Sequence, residues 1–168
     1  MIRDAFLLGL FPAVMCFAAA SDIVTMTISN RLSLLLAASF FVAAALIGMP
    51  IAQVGMHAVA GIAVLAITFG LFAAGWIGGG DAKLAAATAL WLGLPLLLEY
   101  FLFASIFGGA LTLLLLTARN WPLPSAVVGT PWIERLHARE TGVPYGVALA
   151  AAGLVIYPQT IYMRALAA

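Results

Sequence analysis

Residues 82–118 read AKLAAATALWLGLPLLLEYFLFASIFGGALTLLLLTA, and this long apolar stretch sets the architecture. As one α-helix it would be about 55 Å long, whereas the hydrocarbon core of a bilayer is about 30 Å thick. The stretch therefore predicts two membrane-spanning helices. Gly93, Pro95 and Glu99 place the break between Gly93 and Tyr100, because glycine and proline interrupt helices.

The composition of the whole chain agrees with a lipid environment. Its 168 residues are 65% hydrophobic and only 8% charged, against about 25% charged residues in a soluble domain. In lipid every backbone polar group must be bonded internally, so the spans are helices. The net charge of +1 gives no basis for a nucleic-acid partner.

Apolar segments recur along the chain and approach the length of about 20 residues that a span needs. They lie at residues 5–20, 32–49, 54–77, in the two halves of 82–118, and at 143–163. The predicted fold is therefore all-α: a polytopic integral membrane protein with about six transmembrane helices. Residues 1–168 form a single membrane-embedded domain. Between the last two spans, residues 131–140 are amphipathic and predict a short interfacial helix.

The basic residues give an orientation, because cytoplasmic connections carry an excess of Lys and Arg. Six spans put both termini on one side, with Arg3 and Arg164. The other side carries five basic residues, Arg31, Lys83, Arg119, Arg135 and Arg139, and is predicted to be cytoplasmic. Asp22, in the first connection, and Asp81, in the third, then lie at the same membrane boundary, and the termini face the exterior or periplasm.

Asp22 and Asp81 are the candidate catalytic residues. Each has a simpler interpretation as a helix cap or turn residue. Two carboxyls held close together can share a proton, so that one activates water while the other donates a hydrogen bond. This pair would suffice for peptide hydrolysis without a metal or a cofactor. Serine nucleophiles lack a nearby histidine, and His57 and His137 without supporting cysteines make a zinc site improbable.

Three motifs in order resemble those of the type IV prepilin peptidases, membrane aspartyl proteases of the GxGD kind. Asp22 is followed by the Ile-Ser-Asn-Arg-Leu stretch at 28–32, residues 78–84 read GGGDAKL, and residues 143–148 read VPYGVA. The resemblance covers almost the whole chain. It implies catalysis by Asp22 and Asp81, with substrate-binding or site-shaping roles for Gly78, Gly79, Gly80, Asn30, Lys83, Pro144, Tyr145 and Gly146.

The resemblance also implies a substrate, a subclass and a location. The substrate would be a prepilin or pseudopilin, with a short basic leader before a hydrophobic helix, cleaved at the cytoplasmic face of the bacterial inner membrane. Larger members carry CxxC pairs between the first two spans, associated with N-methylation, and this chain has none. It is therefore similar to the short form found with tight-adherence (Flp) pili. Ser29 stands where the family usually has proline.

Two other functions are compatible with the residues. A small ion- or proton-coupled transporter could use both aspartates as cation sites, although carrier sites typically lie near the bilayer midplane. A non-catalytic scaffold could use them as caps only. The sequence leaves open the oligomeric state, the pilin that is cleaved, and which aspartate activates water.

Overall fold

The computed structural model describes residues 1–167 and forms a bundle of α-helices, with no strand among these residues. The helices are α1 (Ile2–Thr25), α2 (Asn30–Leu46), α3 (Ile51–Ala73), α4 (Gly79–Leu92), α5 (Leu97–Ala118), α6 (Pro131–His137), α7 (Tyr145–Ile156) and α8 (Ile161–Ala167). The all-α prediction is confirmed.

The helices differ in how far they could reach across a membrane. Three helical stretches are long and apolar enough to cross one: Ile2–Thr25, Ile51–Ala73 and Leu94–Ala118. Two more, Asn30–Leu46 and Tyr145–Gln159, are apolar but shorter. The chain is thus a helical membrane protein with three clear candidate spans, and the count of six remains a prediction.

Helix α4 is the centre of the bundle rather than an ordinary span. Its 14 residues would extend only about 21 Å. Every residue from Leu84 to Leu92 is buried, because α4 packs against α2, α3 and α7. Alanine fills much of it, which lets the surrounding helices approach closely.

Two side-chain hydrogen bonds to backbone carbonyls hold α4 to its neighbours. The Trp91 indole nitrogen donates to the Leu36 carbonyl of α2 at 2.7 Å. Nδ1 of His57 on α3 donates to the Leu90 carbonyl at 2.8 Å. His57 therefore bonds a neighbouring helix.

The predicted break in the 82–118 stretch is confirmed. Helix α4 ends at Leu92, and Gly93 has φ +71°, a conformation that favours glycine. A turn of 3₁₀-helix over Leu94–Leu96, which contains Pro95, then leads into α5.

The expectation of one continuous sixth span is wrong. Helix α7 stops at Ile156, a 3₁₀ turn spans Tyr157–Gln159, and α8 begins at Ile161. Pro158 lies in that turn, and proline cannot donate the backbone hydrogen bond that a continuing helix requires. The predicted interfacial helix at 131–140 exists as α6 but ends at His137.

Candidate active site

Asp22 lies inside α1 and not in the first connection, which corrects the sequence-based placement. The helix continues to Thr25 and ends at Met26, whose φ of +54° is left-handed. The Thr25 hydroxyl donates to the Ser21 carbonyl, and the Ser21 hydroxyl donates to the Thr27 carbonyl. These side chains prolong the helix past Asp22, so the carboxyl projects from an ordered helical turn. Asp22 is only 5% exposed.

The Asp22 carboxyl accepts a hydrogen bond from the first turn of α7. The Gly146 amide donates to Oδ2 at 2.8 Å. First-turn amides have no partner within their own helix, and the positive end of the helix dipole attracts a carboxylate. A Cβ on Gly146 would lie 2.8 Å from Oδ2 and 2.5 Å from the Ile28 Cδ1 atom, so a larger residue here would displace the Asp22 carboxyl or the Ile28 side chain.

Asp81 lies in the first turn of α4. The N-cap of this helix is Gly78, so the alternative interpretation of Asp81 as the N-cap residue is wrong. The Asp81 carboxyl turns back towards Gly78, where an added Cβ would lie 2.8 Å from Oδ2. Asp81 is half-buried.

The fold brings the two aspartates together at one end of the bundle. They are close enough for the charge of Asp22 to act on the Asp81 carboxyl. The Ile28 side chain packs between Gly80, which precedes Asp81, and Gly146, which hydrogen-bonds Asp22. A Cβ on Gly80 would lie 3.1 Å from the Ile28 Cβ, and the Ile28 Cδ1 atom faces Gly146. Sequence reasoning did not assign Ile28 a role, although it belongs to the motif that follows Asp22.

The three glycines before Asp81 have separate neighbours within the chain. Gly78 faces the Asp81 carboxyl, and Gly80 faces Ile28. Gly79 faces the Phe72 ring, whose Cε2 atom would lie 3.1 Å from an added Cβ. Atoms of Asp81, Phe72 and Ile28 therefore lie close to these three glycines.

Asn30 and Lys83 lie together near the N-terminal ends of α2 and α4. The Lys83 ammonium donates to the Asn30 Oδ1 atom at 2.7 Å, which joins the two helices. Ser29 is the N-cap of α2 and has φ −68°, the value to which proline is locked. Its hydroxyl accepts a hydrogen bond from the Leu32 amide. Serine at this position thus adopts the backbone conformation of the proline usual in the family and adds a cap.

Pro144 and Tyr145 border the site through α7. Pro144 is buried and is the N-cap of α7, which places Gly146 in the first turn. The Tyr145 ring packs on Gly108 of α5, and its hydroxyl donates to the Ala104 carbonyl at 3.3 Å. These contacts make Tyr145 a structural support rather than a free donor.

Tyr100 is a neighbour of the site that sequence reasoning assigned no role. It is fully buried on α5 and lies within charge range of Asp81 and Tyr145. Thr88 is its polar neighbour, but within the described residues no group meets the geometry of a hydrogen bond with its hydroxyl. A tyrosine in an apolar helix is the only signal for it in the sequence.

No metal centre competes with this interpretation of the site in the described part of the chain, where no three His, Cys, Asp or Glu residues are grouped closely enough to bind an ion. Two carboxyls at the end of a helical bundle can polarise a water molecule and donate to a carbonyl oxygen. That chemistry fits peptide hydrolysis.

A model of the type IV leader peptidase family matches residues 9–113, well over half of the chain. The chain belongs to this family. The match confirms the resemblance drawn from the motifs, and it includes Asp22, Asn30 and residues 78–84. Pro144, Tyr145 and Gly146 lie beyond the matched residues. No curated protein and no solved structure matches the chain.

Proposed function

We propose that this leader peptidase removes the basic leader from Flp-type prepilins and pseudopilins at the cytoplasmic face of the bacterial inner membrane, with Asp22 and Asp81 as its catalytic residues. The observation that carries the proposal is that Ile28 packs against both Gly146, which hydrogen-bonds Asp22, and Gly80, which precedes Asp81, so that two carboxyls far apart in the sequence lie at one end of the bundle. Membership of the leader peptidase family indicates peptide-bond hydrolysis, and two neighbouring carboxyl groups are suited to that reaction.

The proposed reaction is acid–base hydrolysis. One aspartate in its ionised form takes a proton from water, and the resulting hydroxide attacks the carbonyl carbon of the scissile peptide bond. The other, protonated, donates to the carbonyl oxygen in the transition state. Collapse of the tetrahedral intermediate breaks the C–N bond, and the amine leaves with a proton from the site. Either aspartate can fill either role.

The short connection between α1 and α2 favours the Flp-type subclass. Only residues 26–29 separate the two helices, so this loop cannot contain the CxxC insertion associated with N-methylation. We therefore propose that the chain cleaves prepilins but does not methylate the product.

The transporter alternative has no support from the site. A carrier typically binds its ion near the bilayer midplane, between broken helices. Asp22 lies in the last turn of α1, and Asp81 lies in the first turn of α4. Both carboxyls are therefore at helix ends rather than in the middle of a span.

The direct test uses the purified chain in liposomes with epitope-tagged Flp-type prepilins. We expect one cut that removes the leader, identified by the mass of the new N-terminus. If every prepilin stays intact under conditions in which the protein remains folded, the peptidase assignment fails. Proton flux across the same liposomes would then favour the transporter.

Orientation needs a separate measurement in cells. In a Cys16→Ala background, single cysteines would replace two exposed residues, Ser125 and Glu99. A membrane-impermeant maleimide added outside should label position 99 but not position 125 until the membrane is opened. The reverse pattern would put the active site on the exterior face.

A further inference from the structure

A polar pocket lies at the C-terminal end of α5, against the connection that leads to α7. It encloses about 340 Å³, a size within the range of small-molecule sites. Four residues line it: Leu116, Arg119, Asn120 and Arg139. Two of them carry guanidinium groups and none is acidic, so the lining has two positive charges and no negative one.

Neither guanidinium is paired with a carboxylate. Arg119 is only 8% exposed and donates to the Leu136 and Gly142 carbonyls. Arg139 is exposed and donates to the Asn120 Oδ1 atom at 3.2 Å. In the described part of the chain, no carboxylate lies within 4.0 Å of either group. A buried charge costs free energy unless it is paired, and the neutral acceptors leave N–H groups of both side chains available to an anion.

The pocket lies at the depth at which α5 would leave the hydrocarbon core of a membrane. The candidate span Leu94–Ala118 ends one residue before Arg119. Leu116, in the last turn of α5, is 51% exposed and gives the pocket an apolar wall. Trp121, which is 71% exposed, follows Asn120, and tryptophan is enriched at the level of the lipid headgroups. An anion held here would therefore be at headgroup depth.

We propose that this pocket binds the phosphate of an anionic phospholipid, with Arg119 and Arg139 donating to its oxygens and the acyl chains lying along Leu116. A guanidinium matches phosphate geometry with two parallel hydrogen bonds, and basic pockets at the membrane surface bind anionic headgroups. A zwitterionic lipid also carries an ammonium group, for which the lining has no acidic partner. This inference goes beyond the proposed function and does not depend on it.

The first experiment measures lipid binding to the purified, delipidated chain in detergent by native mass spectrometry. Phosphatidylglycerol and phosphatidylcholine with the same acyl chains are compared, because both carry a phosphate but differ in net charge. We expect the first phosphatidylglycerol to bind with an apparent Kd lower by about 10-fold or more. Inorganic phosphate at the same concentration should not displace it, because it lacks the acyl chains.

Two variants test whether the pocket is responsible. Arg139→Ala and Arg135→Ala each remove one positive charge and one exposed hydrogen bond, but Arg135 does not line the pocket. Arg139→Ala should weaken binding of phosphatidylglycerol by about 10-fold, whereas Arg135→Ala should retain it. Arg119 is unsuited to this comparison because it also holds the Leu136 and Gly142 carbonyls. Unfolding temperatures without added lipid check that both variants are folded.

A third measurement locates the lipid on the wild-type chain in liposomes. Phosphatidylglycerol with a photoreactive group on its acyl chain, close to the glycerol, should form adducts with the peptide that contains residues 116–121. Phosphatidylcholine with the same modified chain should not be enriched there. This measurement decides the proposal even if Arg139→Ala does not fold.

Several results would overturn the proposal. Equal affinities for the two lipids would show that the guanidiniums do not select an anion. Equal losses in Arg139→Ala and Arg135→Ala would indicate diffuse attraction to a basic surface. Displacement of the lipid by inorganic phosphate would assign the pocket to a soluble anion, and adducts spread evenly over the helices would exclude a defined site. None of these results bears on prepilin cleavage, so the proposed function is tested separately.

Discussion

The amide of Gly146 donates a 2.8 Å hydrogen bond to the Asp22 carboxyl, and this bond ties the last turn of α1 to the first turn of α7. Asp22 is therefore both a proposed catalytic group and the acceptor for a free helix amide. An asparagine oxygen could accept the same amide, but it carries no charge and could not act in catalysis. Substitutions around this bond therefore distinguish its structural role from the proposed catalytic role of the carboxyl.

Gly146→Ala should greatly reduce prepilin cleavage. The added Cβ would lie 2.5 Å from the Ile28 Cδ1 atom and 2.8 Å from the Asp22 Oδ2 atom, so the carboxyl must move. A displacement of about 1 Å can cost about 100-fold in rate, and we expect a loss of that order in kcat/KM. Gly142→Ala is the matched control, because its Cβ would meet nothing within 4 Å. Equal activity of the two variants would contradict the geometry.

Gly80→Ala should also impair cleavage without a large loss of stability. Alanine favours the helix by about 1 kcal/mol over glycine, but its Cβ would press on Ile28 at 3.1–3.3 Å and shift the turn that holds Asp81. Gly70→Ala adds the same methyl group on α3 where nothing lies within 4 Å. Cleavage rates and thermal unfolding in detergent would be compared, and a Gly80→Ala rate equal to that of Gly70→Ala would argue against a role for this contact.

Ser29→Pro should be tolerated. The φ of −68° at position 29 is the one that proline imposes. Proline restricts the unfolded chain, which raises the free energy of unfolding by up to about 1 kcal/mol. Loss of the hydroxyl cap lowers it by about 1 kcal/mol, so the two effects nearly cancel. We expect the unfolding free energy and cleavage rate to stay close to wild type. A fall of several kcal/mol would show that the hydroxyl has a further role.

Arg119→Ala should loosen the segment that leads into α7. The buried guanidinium donates to the Leu136 and Gly142 carbonyls at 2.8 and 2.9 Å. Hydrogen bonds from charged groups contribute about 1.5–3 kcal/mol each, so local opening of residues 119–142 should become easier. Hydrogen exchange would measure it as faster exchange there. Arg139→Ala removes only an exposed bond to Asn120 and should leave exchange nearly unchanged.

Features that depend on local chemistry could be predicted from the sequence. The break after α4 follows from Gly93 and Pro95, whose backbone preferences act regardless of neighbours. Charge counting placed Asp22 and Asp81 on one side of the membrane, and the structure brings them to the same end of the bundle. The motif at 78–84 marked the start of α4 for the same local reason.

Two local features were placed wrongly, and a tertiary contact could not be predicted. Asp22 was expected in a loop because Ser21 and Asp22 suit turns, yet hydroxyl bonds from Ser21 and Thr25 stabilise the end of the helix. The break at Pro158 was missed, although proline is the same local signal that divides α4 from α5. The position of Ile28 between Gly80 and Gly146 is a tertiary contact, which no single motif encodes.

The most direct test of the aspartate pair is prepilin cleavage in membranes by Asp22→Asn and Asp81→Asn, each at matched expression with the wild type. Asparagine keeps the shape of the side chain and, at position 22, an oxygen that can accept the Gly146 amide. Each substitution alone should abolish leader removal while the protein remains inserted, because the two carboxyls act as one unit. Cleavage at a near wild-type rate by either variant would make that aspartate a structural residue and contradict the paired mechanism.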